Sequence, residues 1–154
     1  MADTYTQIYI QLVFAVKSRQ NLIHDKHQEE LNKYITGIIT NKGQKMLAIG
    51  GMPDHLHILV GQQPTIALSD LVRDIKANSS KFINAQRWIL GKFEWQVGFG
   101  AFSYSRSHLD EVIQYILNQK THHSKRTFKE EYLVLLQKFK IEYEERYVFE
   151  WIDS

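Results

Sequence analysis

Between Gln7 and Tyr104 the apolar residues switch repeatedly between the period of a strand and the period of a helix. The order of those switches limits the fold more than any other property of the chain. Gln7 to Val16 reads Gln-Ile-Tyr-Ile-Gln-Leu-Val-Phe-Ala-Val, a β-branched and aromatic run that suits a buried strand. After the polar Lys17 to Asn21, the residues Leu31, Tyr34, Ile35, Ile38 and Ile39 recur at helical spacing from Asp25 until Asn41-Lys42-Gly43 stops them. Lys45 to Ile49 and Pro53 to Val60 read as two strands joined through Gly50-Gly51-Met52 and closed by Gly61-Gln62-Gln63-Pro64. Ile66, Leu68, Leu71, Val72 and Ile75 open a long helix that continues through Phe82 and Ile83 toward Trp88. The aromatic run Trp95 to Tyr104, punctuated by Gly98 and Gly100, completes a fourth strand. The resulting order, β-α-β-β-α-β, predicts an α+β fold of the ferredoxin-like or RRM-like kind: an antiparallel sheet with two helices on one face and the other face open.

Helical patterns from about His108 to His122 and from Phe128 to about Tyr143 are more than that fold needs. With no internal repeat or linker in between, residues 1–154 read as one domain, with a core over about 5–105 and a helical extension over about 107–154. Length supports this, since 154 residues can bury about two thirds of the surface exposed by the unfolded chain. The chain contains no cysteine, which excludes disulfides, thiolate zinc sites and a thiol nucleophile, and suits a reducing cytoplasm. Met1-Ala2-Asp3-Thr4 is not the start of a signal peptide, and no apolar run is long enough to cross a bilayer, so a cytoplasmic protein without a membrane partner is expected. A net charge of +2 is too small to mark a nucleic-acid binder by charge alone. Aromatic residues, at 12%, exceed what a minimal core needs and include candidate stacking surfaces.

The strand Pro53-Asp54-His55-Leu56-His57-Ile58-Leu59-Val60 carries the most chemistry. Alternation puts His55 and His57 on one face, expected to be the exposed face of the sheet, and Leu56, Ile58 and Val60 on the other. Residues two apart on a strand lie roughly 6.5 to 7 Å from each other, near enough for two imidazoles to converge on one ion or phosphate. The same spacing also suits two solvated or hydrogen-bonded histidines, and a third ligand would separate the readings. Asp54 and Glu94 are carboxylates whose spacing requires no role in acid or base chemistry.

In the third helix Leu109, Val112, Ile113, Ile116 and Leu117 make a buried stripe, with Ser107 placed to cap its start. At about 100° per residue Tyr115 lies off that stripe, and Gln119 stands one turn beyond it, so the two are expected to share one exposed flank. Together with His55-Leu56-His57, this pair resembles the pattern of the single-tyrosine HUH transposases of the IS200/IS605 class. The likeness extends to Asn78 through Asn84, Phe93 through Ser103, Tyr115 through His123 and Thr127 through Tyr132, in the same order and over nearly the whole chain.

That resemblance implies cleavage and rejoining of single-stranded DNA, with Tyr115 as the nucleophile and a 5′-phosphotyrosine intermediate. It also implies a divalent metal held by His55, His57 and Gln119. Two imidazoles alone suggest zinc or another late transition metal, whereas the family implies Mg²⁺ or Mn²⁺, which also suits the hard oxygens of an amide and a phosphate. The partners implied are single-stranded DNA with hairpins at element ends and a second copy of the chain, in a homodimer whose tyrosine helix serves the other subunit's histidines in trans. Lys81, Lys120, His122, Lys125 and Arg126 are candidate phosphate contacts, although a solvated face or a complemented helix end accounts for them equally. Two other functions fit the same pattern: a non-catalytic module that binds single strands or hairpins, and a metallohydrolase that uses a metal-bound water.

Overall fold

The computed structural model describes residues 4–119 and 126–144. Its sheet is formed by β1 (Tyr9–Ala15), β2 (Lys45–Met52), β3 (His55–Gly61) and β4 (Gly100–Tyr104) in the order β2-β3-β1-β4, with every neighbouring pair antiparallel. The helices are α1 (Asp25–Asn41), α2 (Leu68–Gln86), α3 (Leu109–Leu117) and α4 (Phe128–Lys138). The strand order and the two crossover helices are those expected of the ferredoxin-like α+β fold.

Alternation along the strands divides the core between two faces. Leu12 and Phe14 of β1 and Leu56, Ile58 and Val60 of β3 meet Leu31, Ile35 and Ile39 of α1 and Leu71, Val72 and Ile75 of α2. The second face is covered, not open as expected. Val13, Ala15 and Phe102 pack under Phe128, Tyr132, Leu135 and Leu136 of α4, while Ala48 and Leu59 pack under Val112 and Ile116 of α3. The cause is that this face also carries large apolar side chains, Val13, Leu59 and Phe102 among them, around Gln11, His55 and His57. Each large apolar side chain left in water would forgo about 1.5–3 kcal/mol, so the helical extension folds back over the sheet. His55 and His57, assigned from alternation to an exposed face, consequently have no exposed surface.

Other boundaries also shift. Only Gly100–Tyr104 of the Trp95 to Tyr104 run is a strand. Trp95 instead makes an isolated bridge to Val16, packs edge-on against Phe14 and donates its indole N–H to Ser79 Oγ at 2.9 Å. Ser79 thus serves packing. Helix α3 starts after a 3-10 turn at Arg106–His108, and no side chain caps it, Ser107 included. Helix α4 starts with a reciprocal capping box between Thr127 and Glu130 and ends at Lys138, short of Tyr143.

Gly100 marks a close approach to α4. A Cβ there would lie 2.8 Å from the Tyr132 hydroxyl and 3.0 Å from Phe102. Gly100→Ala is therefore expected to cost about 1–3 kcal/mol and to lower the thermal midpoint by roughly 3–10 °C. An unchanged melting curve would show that Tyr132 yields.

Candidate active site

Strand β3 presents both histidines to the α3/α4 side, where His55 sits opposite Ala15 and His57 opposite Val13. Small and β-branched neighbours leave room for the imidazoles, whose centroids lie 5.2 Å apart. Phe128, at the start of α4, stacks on His55 at 4.1 Å.

Each imidazole is held from behind by an acceptor. His55 Nδ1 lies 2.6 Å from Asp54 Oδ1, and His57 Nδ1 lies 2.9 Å from Gln11 Oε1. With both Nδ1 atoms donating, both Nε2 atoms turn the same way, toward Glu131 Oε1, at 3.4 Å from His55 and 2.8 Å from His57. Gln119 Oε1 stands 3.3 Å from His55 Nε2. Lone pairs and a carboxylate oxygen then face one another, and only a proton on the imidazole or a cation can stand between them.

The donor set fits a divalent cation. Ligand atoms of His55, His57 and Glu131 all lie within 4.8 Å of one another, and Gln119 supplies an amide oxygen beside them. Two imidazole nitrogens with two oxygens suit Mg²⁺, Mn²⁺ or zinc, and the acceptors behind the rings are the outer shell that orients metal-binding histidines.

Tyr115 reaches the same carboxylate from α3. Its hydroxyl donates to Glu131 Oε2, and its ring lies edge-on to His57 at 5.7 Å. Gln119 Nε2 donates to the Tyr115 carbonyl at 3.3 Å and lies 3.5 Å from Glu131 Oε2. Burial, with the Glu131 charge beside it, pushes the Tyr115 phenol well above its ordinary pKa. For His55, burial pulls the imidazole down, but Asp54 and Glu131 outweigh it and hold the pKa above the usual histidine value.

The predicted residues Tyr115, His55, His57 and Gln119 thus converge, and all four come from one chain. A trans arrangement, expected from the resemblance, is not required to complete the site. Tyr115 and Gln119 are also not an exposed flank: Tyr115 is half-buried and Gln119 is 2% exposed.

Glu131 and Gln11 are the residues that sequence reasoning missed, and Asp54 was set aside. A signal for Glu131 exists in α4, where Phe128, Glu131, Tyr132 and Leu135 share one buried face. A carboxylate in an apolar stripe is rarely there for packing. Glu94, by contrast, is only half-buried and pairs with Lys17 and Lys92.

Tyr115 and Glu131 open on a cleft of about 280 Å³ that Tyr104, His108, Arg126 and Lys138 also line. Arg126 borders a second opening of about 840 Å³, with Arg19, Asp54 and Phe128. Lys81 is exposed on the α2 side of the sheet, in a cleft of about 650 Å³ with Lys17, Arg73 and Lys92, and does not join the histidine pair. Lys120, His122 and Lys125 lie outside the described residues. Among the described residues no helix is long and apolar enough to cross a membrane.

Known proteins share this arrangement of sequence and fold. The ISDra2 transposase TnpA of Deinococcus radiodurans is 22% identical over 118 residues, covering 73% of this chain and 84% of that protein. A crystal structure assigned as a candidate transposase of Deinococcus radiodurans R1 superposes with a TM-score of 0.61 at 25% identity, covering 77% of this chain and 95% of that one. A REP-associated tyrosine transposase bound to a REP hairpin shares the fold, with a TM-score of 0.60 at 15% identity over 80% of this chain and 73% of that one. The family described as IS200-like transposases matches residues 4–119, from before β1 to the last ligand candidate of α3, and the chain belongs to that family.

Proposed function

We propose that this chain cleaves and rejoins single-stranded DNA at insertion-sequence ends through a 5′-phosphotyrosine on Tyr115, with Mg²⁺ or Mn²⁺ held by His55, His57 and Gln119 and with Glu131 beside them. The observation that carries the proposal is the shared carboxylate: Glu131 accepts from the Tyr115 hydroxyl with one oxygen and faces both His Nε2 atoms with the other. Nucleophile and ligands are thereby coupled through one group.

In the cleavage step the Tyr115 oxygen attacks phosphorus, the bond to the 3′ oxygen breaks, and the phenolic proton passes to Glu131 Oε2. The 3′ oxygen leaves as a hydroxyl with a proton from solvent, and its later attack on the phosphotyrosine rejoins the strand and returns the phenol. The divalent ion, when bound, polarises the phosphate and offsets charge on the phenolate. Tyr115 otherwise has too high a pKa to be a good nucleophile.

The experiment is incubation with labelled single-stranded DNA from the ends of the element and Mn²⁺ or Mg²⁺. A denaturation-resistant protein–DNA species is expected. Binding without an adduct would leave the non-catalytic module, and cleavage without an adduct would leave the metallohydrolase.

A pH dependence follows from His55. Its folded pKa is raised, so in metal-free protein its charged form adds stability that is full below the unfolded value near 6.5 and is lost as pH rises through the folded pKa. Metal must displace that proton. Mn²⁺ affinity, measured by titration calorimetry, is expected to rise by up to about tenfold per pH unit until the imidazole is neutral, and then to level off.

The DNA partner carries hairpins in this proposal, in keeping with the hairpin held by the structurally similar REP-associated transposase. Arg126, at the mouth of both openings, is the described candidate for phosphate contact near Tyr115, with Lys81 more remote and Lys120, His122 and Lys125 following α3 in sequence. A homodimer is proposed as well, and Leu117, the last residue of the α3 stripe, is 58% exposed and available to a second copy. With Tyr115 beside its own His57, mixing His57→Ala with Tyr115→Phe subunits is expected to restore no cleavage. Recovered single-site cleavage after subunit exchange would place the tyrosine helix in trans.

A further inference from the structure

Gln11 is a fully buried amide in a strand that is otherwise apolar at its centre, and packing alone does not account for it. Its Oε1 lies 2.9 Å from His57 Nδ1, and its Nε2 donates to the Tyr104 hydroxyl at 2.8 Å. Register explains the contact: Gln11 is two residues from Val13, the partner of His57 across the β1–β3 ladder, and is paired with Phe102 across β4, two residues from Tyr104. All three side chains therefore lie on the α3/α4 face of adjacent strands.

We infer that Gln11, itself held by Tyr104, is a positioning residue that fixes His57 as the Nδ1–H tautomer and so keeps His57 Nε2 available to a metal ion. The inference rests on the proposed role of His57 as a ligand. A neutral imidazole carries one ring proton; Glu131 Oε1 competes for it at Nε2, and once a cation stands there the acceptor at Nδ1 is where the proton stays. An amide turned the other way would present N–H to Nδ1, drive the proton to Nε2 and block it as a ligand. In the observed orientation the Tyr104 hydroxyl accepts from Gln11 Nε2, which leaves Gln11 Oε1 turned to His57. Burial holds the Tyr104 phenol up at about 12, so it stays a neutral hydroxyl, and its own proton is left to the cleft that it shares with Tyr115. The two histidines are thus oriented by different groups, His55 by the Asp54 carboxylate and His57 by an amide.

The test uses full-length protein and two readouts. Mn²⁺ titration calorimetry is expected to show a 10- to 100-fold loss of affinity in Gln11→Leu, which keeps bulk but no acceptor, about the loss typical when such an outer hydrogen bond is removed. Gln11→Glu restores an acceptor oxygen and is expected to bind within about threefold of wild type. Tyr104→Phe is expected to lose less than Gln11→Leu. The second readout needs no variant: ¹⁵N NMR of Mg²⁺-loaded wild type is expected to show His57 protonated at Nδ1. A His57 proton on Nε2 in that spectrum, or unchanged Mn²⁺ affinity in folded Gln11→Leu, overturns the inference and leaves the metal site standing. Mn²⁺ affinity unchanged by His57→Ala overturns the metal reading, and this inference with it.

Discussion

Tyr115→Phe is expected to lower strand cleavage by at least about 10⁴-fold while leaving affinity for the same DNA within a few fold. The substitution removes one oxygen and keeps a ring that lies edge-on to His57 and borders the cleft. Two other tyrosines among the described residues have their own roles: Tyr104, on the same cleft, accepts from Gln11 Nε2, and Tyr132 projects toward Gly100. Removal of the oxygen takes one donor from Glu131 Oε2, which Gln119 Nε2 still approaches at 3.5 Å, so Mn²⁺ binding should persist. The measurements are adduct formation on labelled single-stranded DNA and an equilibrium binding isotherm. Cleavage that survives in Tyr115→Phe would sink the nucleophile assignment, whereas parallel loss of binding and cleavage would mean that the ring supports the fold.

The second large effect is expected at His57. His57→Ala should abolish measurable Mn²⁺ binding and reduce cleavage by at least about 10³-fold, because it removes one of two nitrogen ligands and leaves Gln11 Oε1 without its donor. A stability cost is also expected, unlike for a histidine on an open face. His57 has no exposed surface, and its Nε2 is 2.8 Å from a carboxylate that is 1% exposed. Breaking a buried pair costs up to about 3–5 kcal/mol, and a smaller loss is expected here because Glu131 keeps Tyr115 and His55 beside it. His57→Ala/Glu131→Gln should recover part of that cost and none of the cleavage. Chemical denaturation of the two variants checks the coupling. Equal stability of both would mean that Glu131 does not depend on His57.

Much of the architecture was legible in the sequence because it depends on local periodicity. Strand runs such as Gln7 to Val16 and the helical stripe from Leu31 to Ile39 declare their period within a few residues, and their order admits few topologies. The convergence of Tyr115 and Gln119 with His55 and His57 was legible only through the family pattern, since no spacing law connects a β3 strand to a helix some 60 residues later. The fourth strand was overextended for a related reason. Trp95 has strand-like neighbours, but its ring is committed to Phe14 and Ser79 on the far side of the sheet.

By itself, then, the sequence determined the ferredoxin-like order, the pairing of His55 with His57 on one face, and the placement of Tyr115 and Gln119 one helical turn apart. Tertiary structure decided that this face is buried, that Glu131 joins the Tyr115 hydroxyl to both imidazoles, and that Asp54 and Gln11 hold the two imidazoles from behind. The physical reason is that burial and hydrogen-bond partnership are properties of pairs distant in the chain. Gln11 and His57 are 46 residues apart, and Glu131 is 74 from His57, so neither contact leaves a periodic trace. A polar residue at an apolar position was the one local sign that each would find a partner.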